Sequence, residues 1–163
     1  MESREILEQK YQALPPEIKY IVELLAYSCC PISKSTLERL ELPFEKSKSK
    51  RRAIILSLKD YPEIIWPSKN ILDSYYVLEP HLSLHLLLQL DKQKRDFKKE
   101  ICDTNFWNGA NYLGKRVRDT LLKYYYTQTP FSYLSVANQN IHAKFLLDAA
   151  LDIMEQGKQT KHL

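Results

Sequence analysis

A mainly helical fold, with three helices leading to one β-hairpin and a helical hairpin or bundle behind it, is what the 163-residue sequence predicts. Three observations carry that expectation. Apolar residues recur three and four apart through most of the chain, the period of helices that bury one face. Two short runs, Glu63-Ile64-Ile65-Trp66 and Ser74-Tyr75-Tyr76-Val77-Leu78, are instead rich in β-branched and aromatic residues, which suit strands. Prolines and capping residues fall between these stretches and punctuate them.

The first helix begins at Leu14-Pro15-Pro16-Glu17, because proline lacks an N–H that would go unsatisfied in a first helical turn anyway. Ile18, Ile21, Val22 and Leu25 supply its apolar stripe, and Pro31 ends the segment after Cys29-Cys30. A brief second helix follows from Ser33, with a serine N-cap, Ser35 and Glu38 in capping-box spacing, and Leu37 and Leu40 as its apolar face before Pro43. The third runs from Arg51 to Lys59, clusters Ile54, Ile55 and Leu58 on one side, and stops at Tyr61-Pro62. The two strands follow, with Pro67 expected to close one and Pro80 the other, since proline cannot donate to a ladder.

Three helices, the middle one short, followed by a two-stranded hairpin is the element order of a winged-helix domain, a relative of the helix-turn-helix. Residues 14–80 resemble that superfamily in order and pattern. Behind them, His81 to Ile101 reads as one helix whose Leu82–Leu90 portion is buried and whose Lys92–Lys99 portion is solvated. Phe106, Ala110, Leu113, Val117, Leu121 and Tyr124 mark a long amphipathic helix ending near Thr129-Pro130. Ile141, Phe145, Leu146, Ala149 and Ile153 mark a last one, closed by Gly157 as a C-cap. The expected organisation is a winged-helix domain over residues 1–90 and a helical domain over 91–163.

Composition narrows the function classes. Hydrophobic content of 44% and charged content of 27% predict a packed core. No apolar run is long enough to span a bilayer, and Met1-Glu2-Ser3-Arg4-Glu5 is no signal peptide, so no membrane partner and a cytoplasmic location are expected. Three cysteines, two of them adjacent, fit neither a disulfide framework nor a metal site and imply a reducing compartment; Cys29 and Cys30 read as small buried hydrophobes at a helix end.

Enzyme signatures are missing. No glycine precedes Gly109, which removes phosphate-cradling loops from the first half, and neither a GxSxG elbow nor a CxxC pair occurs. Neither a catalytic residue nor a cofactor is assigned, and the protein is expected not to be an enzyme. His81 and His85 stand four apart, a spacing that can hold a metal, but without an HExxH pattern packing or helix-end roles are expected instead.

The strongest functional signal is basic. Lys46, Lys48, Lys50, Arg51 and Arg52 crowd the entrance of the third helix, the element that enters the major groove in winged-helix proteins. Arg52 and Lys59 share a flank, and Lys69 falls near the wing tip. These seven cations are the expected nucleic-acid-binding residues, with double-stranded DNA as partner. Asparagine and glutamine, which pair adenine, are absent from the run, so phosphate contact is expected over base readout. Two further clusters, Lys92, Lys94, Arg95, Lys98 and Lys99, then Lys115, Arg116 and Arg118, read as solvated faces. Tyr124, Tyr125 and Tyr126 could stack on bases, although a helix end that packs on one side is the plainer reading.

Leu14 to Ala26, then Pro31-Ile32-Ser33, then Lys115 to Tyr125 resemble the N-terminal non-catalytic region of large bacterial Swi/Snf-type helicase-like ATPases. That resemblance implies an accessory module of a nucleic-acid motor, whose own motifs are absent from these residues. The alternative of another class stays open: a winged-helix docking or scaffold module, binding another protein or a motor domain of the same polypeptide through the Phe106–Tyr126 surface, without nucleic acid.

Overall fold

The computed structural model describes residues 4–69, 74–127 and 143–161. It is mainly helical with one small three-stranded antiparallel sheet. Helix α1 spans Arg4–Gln12, α2 Pro16–Ser28, α3 Lys34–Arg39 and α4 Lys48–Leu56, with strand β1, Ile32–Ser33, between α2 and α3. A 3₁₀ turn over Ser57–Asp60 leads to β2, Ile65–Lys69, and β3, Ser74–Leu78. Helices α5, Pro80–Lys92, α6, Phe97–Glu100, α7, Thr104–Thr127, and α8, Ala143–Lys161, complete the order.

Helix α2 begins at Pro16 as expected and buries Ile18, Ile21, Val22 and Leu25. Leu24 and Ala26 are buried as well, because α2 is packed by α5, α7 and β3 on more than one side. The cap of α3 is Ser33 itself, whose Oγ accepts from the Thr36 N–H at 3.1 Å, so the capping-box pair Ser35 and Glu38 is not the one used. The expected third helix starts earlier and ends sooner, Lys59 falling in the 3₁₀ turn.

Strand β3 lies in the centre of the sheet, with the order β1-β3-β2. Ile32 pairs with Tyr76, and Ile65 with Leu78. Pro67 does not close its strand. It sits inside β2 opposite Tyr76, and β2 is an edge strand, where a missing N–H can face away from the ladder.

The expected continuous helix from His81 to Ile101 is broken. Helix α5 starts on Glu79, whose carboxylate accepts from the His81 and Leu82 N–H groups at 3.1 and 2.8 Å, and Pro80 occupies its first turn. It ends where Lys94 turns into the left-handed region at φ 55° and the Arg95 N–H reaches back to the Leu90 carbonyl at 3.0 Å. Phe97 then plunges into the core, fully buried, edge-on to Tyr20 and tilted against Tyr27. Burying that ring is worth roughly 2–3 kcal/mol and outweighs the weak preference of a lysine-rich segment to continue a helix.

Helix α1, whose apolar Leu7 and Tyr11 are one turn apart, was masked in the sequence by charge; both are buried, and the Tyr11 hydroxyl donates to Glu23 at 2.6 Å. Helix α8 continues through Gly157, which is therefore no C-cap. Ile141 lies outside the described residues, as do the side chains of Ala110, Leu113 and Ile153.

Two apolar clusters hold these elements. The larger joins α1–α4, the sheet and α5 with Phe97, Ile101, Phe106 and Trp107; the smaller joins Cys29, Val117 and Leu121 with Leu146, Leu147 and Ala150. Helix α5 serves both, giving Leu82, Leu86 and Leu90 to the first and Leu84 and Leu87 to the second. A helix apolar on most sides is buried on most sides. Residue 90, where two units were expected to meet, is thus a leucine of the larger core. Among the described residues no helix is long and apolar enough to cross a membrane.

Candidate nucleic-acid interface

Helix α4 is positioned by Ser47, which caps it by accepting from Lys50 N–H at 3.5 Å, and by a core-facing stripe of Arg51, Ile55 and Leu58. That stripe is spaced four and three, so the opposite face must look outward. Lys48, Lys50 and Arg52 on α4, Lys46 in the turn before it and Lys59 in the 3₁₀ turn after it are all exposed. No acidic residue lies in the first turn of α4. Cations beside a helix N-terminus oppose the macrodipole, and the same dipole with its open N–H groups favours an anion.

Arg51 is placed differently from its neighbours. Only 6% exposed, it sends Nη1 to the carbonyls of Glu45 and Lys46 at 3.1 and 2.8 Å, tying the turn before α4 to the helix, while its Nε has no partner. A buried guanidinium engaged by two backbone carbonyls shapes the site and offers little to a ligand. Lys69 pairs with Ser74 in the β2–β3 ladder, and its side chain lies outside the described residues.

Arg39, on α3, joins Lys48, Arg51 and Arg52 in lining a shallow cleft of about 230 Å³ with Ser35, and sequence reading missed it. It is a single cation among neutral and acidic neighbours, and only the packing of α3 on α4 brings it to the others. Glu38 and Glu41 line the same cleft, and Glu38 stands 3.7 Å from the Arg52 guanidinium, which is 55% exposed. The surface is therefore basic along α4 and mixed towards α3.

The other two basic clusters are only partly solvated. Lys92, Lys94, Lys98 and Lys99 are exposed, but Arg95 pairs with Glu100 and, at 3.2 Å, with Glu23, and lies 4.5 Å from the Phe97 ring centre. Lys115 and Arg116 are exposed, whereas Arg118 is 7% exposed. Its Nη1 donates to the Tyr27 carbonyl at 2.7 Å and its guanidinium sits 4.2 Å from the Tyr27 ring centre. It satisfies a carbonyl left open in the last turn of α2 and adds a cation at the negative end of that helix. One turn earlier, Gly114 lets α7 approach so closely that an added Cβ would stand 2.0 Å from the Ser28 carbonyl oxygen.

The histidines face different partners. His81 reaches Glu79 through Nδ1 at 3.0 Å and Asp152 through Nε2 at 3.2 Å, while His85 meets Glu8 at 3.3 Å and Arg4 at 2.8 Å. Burial pushes the His81 imidazole down, but the hydrogen bonds and charges of Glu79 and Asp152 outweigh it and leave it above its ordinary value. Among the described residues no group of three or more histidines, cysteines or carboxylates is arranged to hold a metal. Cys29 caps α2 in the left-handed conformation, and burial raises its thiol to about 12 and that of Cys30 to about 11, which removes the thiolate that redox chemistry needs. Of the tyrosines, Tyr126 is half exposed and donates to Asp91 at 2.9 Å.

No protein-family model, no curated protein and no solved structure matches the chain.

Proposed function

We propose that residues 14–80 are a winged-helix module in which α2, α3 and α4 are the three helices and the β2–β3 hairpin the wing, and that its function is non-catalytic binding of duplex DNA through backbone phosphates. The observation that carries this reading is the exposed run Lys46, Lys48, Lys50 and Arg52 at the head of α4, whose first turn holds no acidic residue, with Lys59 exposed in the 3₁₀ turn beyond it. The order α2-β1-α3-α4-β2-β3, with β1 on the free side of β3, supports the fold half of the proposal. An accessory region of a larger DNA-processing protein, such as a nucleic-acid motor, is the setting that suits a module of this kind.

Protein docking through α7 draws less support. Among the described residues of α7, Phe106, Trp107, Val117 and Leu121 are buried in the chain's own clusters, and the half-exposed Tyr126 is bonded to Asp91. Fluorescence polarisation with a labelled duplex tests the DNA reading. Binding is expected to weaken with salt, with a log–log slope of roughly −4.5 if the five cations each neutralise a phosphate. Reversing Lys48, Lys50 and Arg52 to glutamate together is expected to abolish it. No binding at low salt, or binding indifferent to that reversal, refutes the reading.

A further inference from the structure

A second surface has the opposite charge. Between α1, the start of β2, the start of α5 and α8 lies an open groove of about 550 Å³, within the roughly 300–1,000 Å³ range of pockets that hold a ligand. Its base is apolar, with Leu7, Pro80 and Ala149. Two aromatic side chains stand along it in solvent, Trp66 at 37% and Phe145 at 51% exposed. Large apolar groups left in water around a concave base mark an interaction site more strongly than scattered ones do.

The polar lining decides what fits. Among the described residues neither lysine nor arginine lines the groove, whereas Glu63, Asp148 and Asp152 do, together with the N-cap Glu79 and His81. The chain as a whole carries a formal charge of +4, so this concentration of carboxylates runs against its average. Lys10, 3.9 Å from Glu63, and His81, bonded to Asp152, offset part of it from the edges, and Asp148 is engaged within the chain as well. Phe145, Asp148, Ala149 and Asp152 recur at three, one and three, which is one face of α8, while Ala143, Leu146, Leu147 and Ala150 turn to the core. Asp148 and Asp152 are therefore one helical turn apart beside an exposed aromatic ring.

We infer that this groove takes a short amphipathic helix of a protein partner, one that inserts apolar side chains between Trp66 and Phe145 and sets lysines or arginines one turn apart against Asp148 and Asp152. Helix-in-groove recognition uses apolar anchors at helical spacing, and charges at the rim choose among partners with the same apolar face. The acidic rim repels nucleic acid, so the site is independent of the basic face of α4, and the inference does not depend on DNA binding.

The probe is a dye-labelled helical peptide of leucine and lysine with all leucines on one face, compared with its leucine–glutamate counterpart and with a scrambled isomer that has no apolar face. Anisotropy titrations with the full chain are expected to show saturable binding of the lysine peptide alone. F145S, and separately D148N with D152N, are expected to weaken it at least tenfold, whereas reversal of Lys48, Lys50 and Arg52 leaves it unchanged. Phe145 is exposed, and far-UV circular dichroism confirms that each variant is folded; should the double variant unfold, E63Q with D148N keeps the His81 contact and tests the same rim. No saturable binding, equal binding of the glutamate or scrambled peptide, or binding indifferent to F145S overturns the proposal. So does a dimer in sedimentation velocity that F145S dissolves, because the occupant is then a second copy of the chain.

Discussion

The entrance of α4 and the crossing of α7 over the end of α2 are both written in the sequence as runs of basic residues, yet they use their cations in opposite ways. At α4 the lysines stay in solvent, and Arg52, also exposed, stands 3.7 Å from the Glu38 carboxylate. At the crossing, Arg118 is drawn inward by the open Tyr27 carbonyl and by the face of the Tyr27 ring. Arg51 shows both cases within one run: its neighbours remain outside while it turns in to the carbonyls of Glu45 and Lys46. What separates the inward arginines from the cations left in solvent is whether the fold places an acceptor within hydrogen-bond reach, a backbone carbonyl for Arg51 and Arg118 and carboxylates for Arg95.

The sharpest way to break this comparison is at Gly114. Gly114→Ala places a Cβ against backbone that has no softer neighbour to displace, and about 3 kcal/mol or more is expected to be lost in urea unfolding. A loss below about 1 kcal/mol would mean that α7 does not press on α2 so closely. Next come the inward arginines. Arg118→Met removes a charge-assisted bond and strands a buried carbonyl, an expected cost of about 2–3 kcal/mol, with a similar or slightly smaller cost for Arg51→Met. By contrast, Lys50→Met on the same helix as Arg51 is expected to change stability by less than about 0.5 kcal/mol while weakening duplex binding. Equal stabilities for the Arg51 and Lys50 variants would erase the distinction between the two kinds of cation.

The smallest expected effect is at His81, which links the start of α5 to α8. Because its folded value is raised, its contribution is complete below the ordinary value of 6.5 and is lost as pH rises through the folded value. Comparing the melting temperatures of the wild type and His81→Gln across pH should show a gap on the acid side that closes towards alkaline pH. The imidazole is partly exposed, so solvent screening holds the gap to the order of 0.5 kcal/mol. A gap that widens as pH rises would contradict the assignment of Glu79 and Asp152 as its partners.

Much of the local structure was legible. Pro16 at the start of α2, Ser33 ahead of α3, and the run of aromatic and β-branched residues in β3 act over a few residues, so their signals lie side by side in the chain. Even the inward turn of Arg51 was within reach, since it stands four before Ile55 and seven before Leu58 on the buried stripe. Two local signals misled. The lysines of residues 92–99 concealed the break at Lys94, and the charges of residues 4–10 concealed α1, because in both places one or two deeply buried side chains outweigh several solvated ones.

By itself the sequence determined most of the succession of helices and strands, the Pro16 start and the Ser33 cap, and the crowding of cations at the head of α4, all through interactions between near neighbours. Only the tertiary structure decided which cations remain for a partner. Arg118 finds its carbonyl 91 residues away and Arg95 its second carboxylate 72 residues away, and the acidic groove is assembled from four separate elements. Such contacts form only when packing brings distant backbone and side chains together, and no run of adjacent residues encodes them.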